Sequence, residues 1–254
     1  MAFIFLIMPR AVRAAAVVLP MFFFAGIATA GCSATVYLTI DTGSMSQAEN
    51  IAAILNKHRV KATFFLANEK TVRGDYSLDP SWRDYWRARV KEGHAFGSHT
   101  WRHWYFQRDL NDGTIFYRAM DGSDHTRLTQ KDFCAELKQP ADVFEKMTGQ
   151  KLDGLWRAPG GRLTARAREW GAGCGFPRHV GWSDAGFLGD ELPSEQFPND
   201  MLLKRALAKI KDGDILVMHL GIWSRKDPFA PMLDPLIARL TQRGMCFDTL
   251  ADKK

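Results

Sequence analysis

The sequence predicts an α/β domain of the parallel β/α type, and three observations carry that prediction. Short β-branched, apolar runs alternate with stretches of helical periodicity. The residues able to do chemistry fall just past the ends of those runs, where parallel β/α barrels gather their functional groups. With 254 residues, 46% of them hydrophobic and 24% charged, the chain can build one sizeable core, and its composition has no disordered or fibrous bias.

Residues 1–30 read separately. Arg10 and Arg13 precede an apolar stretch at 14–27 that ends in Ala28, Thr29 and Ala30, the grammar of a secretory signal with a small-residue cleavage site. The apolar run is short for a membrane span and contains Pro20. The expectation is therefore a signal peptide at 1–30, a single folded domain at 31–254, and export to the periplasm or the medium. Membrane attachment follows only if the signal stays uncleaved or Cys32 is lipidated, and the large aliphatic residue usual three positions before a lipidated cysteine is replaced by Thr29. Cys32, Cys134, Cys174 and Cys246 form an even set in a chain bound for an oxidising compartment. Cys32 and Cys246 flank the first and last expected strands, neighbours in a closed sheet, so the expected pairs are Cys32 with Cys246 and Cys134 with Cys174.

The elements follow in order. Residues 35–40 (TVYLTI) make a strand that delivers Asp41. A helix comes next, with Ser44 and Gln47 at capping-box spacing and Ile51, Ile54 and Leu55 on its buried face. Residues 60–66 form a second strand, 81–91 a helix, 95–98 a strand opening onto His99, and 132–147 a helix ended by Gly149. A buried-type run at 214–218 delivers His219. Residues 104–130, polar and rich in Gly, Asp and aromatics, read as a loop insertion and groove wall, to which Trp101, Trp104 and Tyr105 would contribute.

His99 and His103, four apart, can face one ion from a single helical turn. Asp41 is a carboxylate at a strand end, followed by Thr42 and by Gly43, which permits a sharp turn. Arg157 precedes Ala158, Pro159, Gly160 and Gly161, a guanidinium beside backbone able to offer amide donors. Taken singly, each has a bland reading as a cap, a turn or a satisfied core histidine. The formal charge of +6 comes without a Lys/Arg block, which argues against nucleic acid as partner and is compatible with an anionic cell wall or capsule.

Together these pieces resemble, in one order over 36–250, the polysaccharide deacetylase family, also called the NodB-homology or carbohydrate esterase 4 group. The flanking text HRVKATFF at 58–65 and Gly93-His94 supports the likeness. The resemblance implies a distorted (β/α) barrel of about seven strands. It also implies hydrolysis of an N-acetyl or O-acetyl group on a carbohydrate, with a divalent metal, Zn2+ or Co2+, as cofactor.

By resemblance, Asp41 is the general base, His99 and His103 are metal ligands, and Arg157 orients the base. Gly160 replaces a common tyrosine whose backbone N–H meets the oxyanion. Trp182 and Asp184 are the nearest match to a tryptophan and aspartate that support the arginine and line the site. His219 is the general acid, with Val217 near the pocket for the acetyl methyl. Thr42 stands where the family has an aspartate ligand. Alternative expectations are a catalytically impaired glycan-binding protein on the same barrel and a deacylase of a non-polymeric amide.

Overall fold

The computed structural model describes residues 1–2, 31–251 and 253, so the expected signal segment lies outside the described residues. The chain separates into two units, Met1–Ala30 and Gly31–Lys254, and the second carries the fold. Among the described residues no helix is long and apolar enough to cross a membrane.

In chain order the elements are β1 (Ala34–Asp41), α1 (Ala48–His58), β2 (Thr63–Leu66), α2 (Arg83–Lys91), β3 (Ala95–Ser98), β4 (Tyr105–Asp109), β5 (Ile115–Arg118) and β6 (His125–Leu128). They continue with α3 (Gln130–Thr148), β7 (Leu155–Trp156), α4 (Ala165–Gly173), β8 (Arg178–His179), α5 (Asn199–Lys209), β9 (Ile215–His219), α6 (Leu233–Gln242) and β10 (Met245–Phe247).

The main sheet has seven strands, as expected, and they pair in parallel in the order β10-β1-β2-β3-β7-β8, with β9 also on β1. Thr39–Asp41 pair with both β9 and β2, so those two strands flank β1 on opposite edges. Past β8 the chain bridges Phe187 to Val217 of β9, which curls the open sheet toward closure. Parallel strands place every C-terminal end on one side, and there the candidate residues collect.

The helices bury one face against the sheet. Ile51, Ile54 and Leu55 of α1 are buried as their spacing predicts. The capping box does not form, because Ser44 and Gln47 spend their N–H groups on the carbonyls of Gly221 and Leu220, and no side chain caps α1. A true capping box opens α3 instead, where Thr129 and Asp132 bond reciprocally.

Residues 104–130 are not a structureless insertion. They fold into an antiparallel sheet, β4-β5-β6, whose turns contain Asp112-Gly113 and Asp121-Gly122, both glycines at positive φ. Phe106, Ile115, Tyr117 and Leu128 bury one face of this sheet with Phe133 and Leu137 of α3 and with Trp156.

Both expected disulfides are present, Cys32–Cys246 beside β1 and β10 and Cys134–Cys174 between α3 and the end of α4. The first occupies the thiol that lipidation of Cys32 would need.

Candidate functional site

The strand register brings distant residues together. Asp41 pairs with Phe65 on one edge and His219 on the other. At the end of β3, the His99 N–H donates to the Leu66 carbonyl at 2.8 Å, and at the end of β7 the Arg157 N–H donates to that of Ser98 at 2.9 Å. Asp41, His99, Arg157 and His219 therefore stand at the same end of the sheet, β9 beside β1 and β3 beside β7, with β2 between the two pairs.

Asp41 is 2% exposed and Arg157 fully buried. Arg157 Nη1 donates to Asp41 Oδ1 at 2.7 Å, while Nε and Nη2 donate to the Val180 and Gly181 carbonyls, each at 3.1 Å. Its guanidinium also lies over the Phe65 ring at 4.2 Å and over Trp182 at 5.6 Å. A charge buried this deeply is tolerated because its donors are partnered. Burial opposes ionisation of Asp41, but Arg157 foremost, then His99 and His219, outweigh it and hold the carboxyl below its usual range.

The two histidines meet through a bent loop rather than the expected helical turn. Thr100 and His103 have φ of 66° and 56°, a left-handed backbone costly for a β-branched residue. What holds the loop is Glu136 of α3, 5% exposed, which accepts the N–H groups of Trp101 and Arg102, the Tyr117 hydroxyl and Arg102 Nε. The result places His99 Nε2 and His103 Nε2 3.1 Å apart.

Tautomers follow from the partners. His99 Nδ1 faces the Arg157 carbonyl at 2.9 Å, which can only accept, so Nδ1 carries the proton. His103 Nδ1 lies 3.1 Å from Glu69 Oε1. Burial opposes ionisation of Glu69, but His103 and the donors of Thr42 and Gly43 outweigh it and hold the carboxyl below its usual range, so it accepts from Nδ1–H. The two Nε2 atoms then face each other at one edge of the site, the ring nitrogens left over for a cation between them. Burial pushes His99 down to about 4, against the pull of Asp41, which keeps it neutral as a ligand must be. Among the described residues no three His, Cys, Asp or Glu side chains are arranged around one ion. Thr42 explains this: it is fully buried, and its hydroxyl bonds to Glu69 Oε2 at 2.5 Å.

On the far side of Asp41, the His219 backbone N–H donates to Asp190 Oδ2 at 2.7 Å and its Nδ1 sits 3.2 Å from both carboxylate oxygens. Burial works against charge on His219, yet Asp190, then Asp41 and Glu191, outweigh it and raise it to about 10. His219 is thus an imidazolium at neutral pH with Nε2–H left for a substrate. Asp184 does not take the expected place. It opens a 3-10 turn, is exposed, and its carboxylate has no polar partner among the described residues. The carbonyls of Val180 and Gly181 support Arg157 in its stead.

These residues line a cavity of about 550 Å³, bounded by Asp41, Glu69, His99, His103 and His219 on its polar side. Val217, Trp182, Phe187 and Leu192 form the apolar part. Gly160, at φ +59°, faces Tyr105, and a Cβ added there would lie 2.6 Å from the tyrosine ring. The wall that a side chain at 160 would provide is supplied by Tyr105 of β4. Trp101 and Trp104 pack instead against the hydrophobic clusters.

Sequence reasoning missed Glu69, Asp190 and Glu136. Glu69 had a signal, a carboxylate just past the buried run TFFL. Asp190 lies in an irregular segment and Glu136 is an ordinary acidic residue of a helix, so neither had one.

A family model described as polysaccharide deacetylase matches residues 29–178. A protein of Geobacillus stearothermophilus, an uncharacterized 30.6 kDa protein, is 29% identical over 218 residues, which cover 85% of this chain and 69% of that relative. A peptidoglycan-N-acetylglucosamine deacetylase of Bacillus cereus is 24% identical over 216 residues, 85% of either chain. Among solved structures, BA3943 of Bacillus anthracis, a CE4 family pseudoenzyme, superposes with a TM-score of 0.63 at 21% identity and shares the fold. The match covers 86% of this chain and 64% of that one, so the chain spans less than two thirds of the pseudoenzyme's length. The ordered strand ends and the matched family model together establish that the chain belongs to the polysaccharide deacetylase family.

Proposed function

We propose that the protein is an exported hydrolase that uses a divalent cation, Zn2+ or Co2+, to remove N-acetyl or O-acetyl groups from a cell-wall or extracellular carbohydrate. The observation that carries this reading is the placement of Asp41, held by Arg157, between His219 on one side and the facing imidazoles of His99 and His103 on the other, all at one cavity.

His99 Nε2 and His103 Nε2 would hold the cation, which when bound polarises an acetyl carbonyl and acidifies a water beside it. Asp41 Oδ2, 3.4 Å from His99 Nε2, is the acceptor for that water's proton. Arg157 fixes the carboxylate in the orientation that leaves Oδ2 facing the histidines. His219 donates its Nε2 proton to the departing amine or alcohol, and Asp190 holds the ring while it does so. The Gly160 N–H is the donor for charge developing on the carbonyl oxygen. Val217, Trp182, Phe187 and Leu192 take the acetyl methyl. The two disulfides support an oxidising compartment.

Thr42 also favours a second reading, glycan binding without turnover, because the cation would have fewer anionic partners. The experiment that separates the two is acetate release from chitin, poly-N-acetylglucosamine, peptidoglycan and acetylated xylan, with and without added zinc or cobalt. Release that requires the cation and vanishes in Asp41→Asn supports the hydrolase. Glycan retention unchanged by chelator, with no acetate from any polymer, supports the binder.

A further inference from the structure

We propose that Glu69 and Thr42 together replace the carboxylate that position 42 lacks, with Glu69 acting as the positioning residue that holds His103 toward the cation. The inference rests on the cation site proposed above and concerns how this chain completes it.

The hydrogen bonds leave little freedom in the arrangement. The Ala67 N–H donates to Thr42 Oγ1 at 3.2 Å, which sends the hydroxyl's own proton to Glu69 Oε2 at 2.5 Å. The Gly43 N–H donates to the same oxygen at 2.6 Å. With Oε2 fixed by two donors, Oε1 is left for His103 Nδ1 at 3.1 Å. Glu69 is pinned along its backbone too: its N–H donates to Ser77 Oγ and its carbonyl accepts the Ser77 N–H. A long flexible side chain has thus been given one conformation, with its entropy cost offset by charge-assisted bonds.

The pair also explains why position 42 holds a hydroxyl. An aspartate there would set a second acceptor against Glu69 Oε2, where the hydroxyl sets a donor. A donor at 42 and an acid at 69 fit each other, as an acid at 42 and a neutral residue at 69 would. Either arrangement brings one anion to the two histidines. Here it acts through the imidazole of His103, whose ligand nitrogen becomes more basic when Nδ1–H is bonded to a carboxylate.

The test is binding of Co2+ and Zn2+ to the purified protein, by equilibrium dialysis and by the visible absorption of bound Co2+, with circular dichroism of the cation-free form confirming the fold. Glu69→Gln is expected to weaken binding about 10- to 100-fold. Thr42→Val, which removes the hydroxyl without altering a charged group and serves if Glu69→Gln misfolds, moves affinity in the same direction. Thr42→Asp alone gains nothing, whereas the double variant Thr42→Asp/Glu69→Gln recovers binding toward the wild-type level. Wild-type affinity in a folded Glu69→Gln, or tighter binding by Thr42→Asp alone, overturns the role given to Glu69. No binding by the wild-type protein overturns the cation site itself, and this proposal with it.

Discussion

His99, at the end of β3, and His219, at the end of β9, face one cavity and titrate in opposite directions, one pushed down to about 4 and the other up to about 10. His99 is buried and the His219 side chain only 15% exposed, and burial alone would discharge both. The difference lies in what each Nδ1 meets. A neutral carbonyl, that of Arg157, fixes His99 as a lone-pair donor, whereas a carboxylate, Asp190, stabilises His219 as a cation. Two residues of one type are thereby prepared for the different roles proposed for them, because a fixed dipole selects a tautomer and a fixed charge selects a protonation state.

The largest expected effect separates those roles directly. His219→Gln should lower kcat about 10²- to 10⁴-fold, with no recovery when zinc or cobalt is added. His99→Gln should show a loss that shrinks as cation is raised. Steady-state rates across a cation titration check this, and a His219→Gln enzyme rescued by cation would merge the two roles.

Next in size is Asp190→Asn, which removes the leading source of charge on His219. Its value should fall from about 10 toward the ordinary imidazole value of about 6.5. Since the acid must be protonated, activity in the variant should decline above roughly pH 6.5, where the wild type holds to about 10. Stability has the same sign. A raised folded-state value contributes stability that is fully present below about pH 6.5 and lost as pH rises through about 10. The gap in melting temperature between wild type and Asp190→Asn should therefore be widest near pH 6 and narrow toward pH 10. A gap independent of pH would show that Asp190 acts only as a packing residue.

The smallest effect concerns the loop that carries His103. Glu136→Gln leaves hydrogen-bond partners less well satisfied and should cost about 1–3 kcal/mol of stability. It should weaken cation binding while leaving the alkaline limb of His219 in place, because Glu136 supports the end of β3 and does not touch that of β9. Calorimetric unfolding together with cation dialysis measures both.

Much of this site was legible in the chain. Asp41, His99, Arg157 and His219 each follow a short apolar run, and a parallel sheet sends all such ends to one side. The Cys32–Cys246 pair followed from the same strand neighbourhood, which left Cys134 for Cys174. What was misread had a local signal overruled by tertiary contacts. Ser44 and Gln47 spend their N–H groups on the 219–221 loop instead of capping α1, and Asp184 turns to solvent while carbonyls hold Arg157. The sheet at 105–128 was hidden although Asp112-Gly113 and Asp121-Gly122 announced its turns.

The sequence by itself determined which groups could do acid, base and ligand chemistry, because apolar periodicity decides which residues end a buried strand. Only the tertiary structure decided what each group becomes. Glu69 beside His103, Asp190 beside His219 and Tyr105 over Gly160 are contacts between segments far apart in the chain. A protonation state is set by the charges and dipoles within a few ångströms, wherever in the chain they originate.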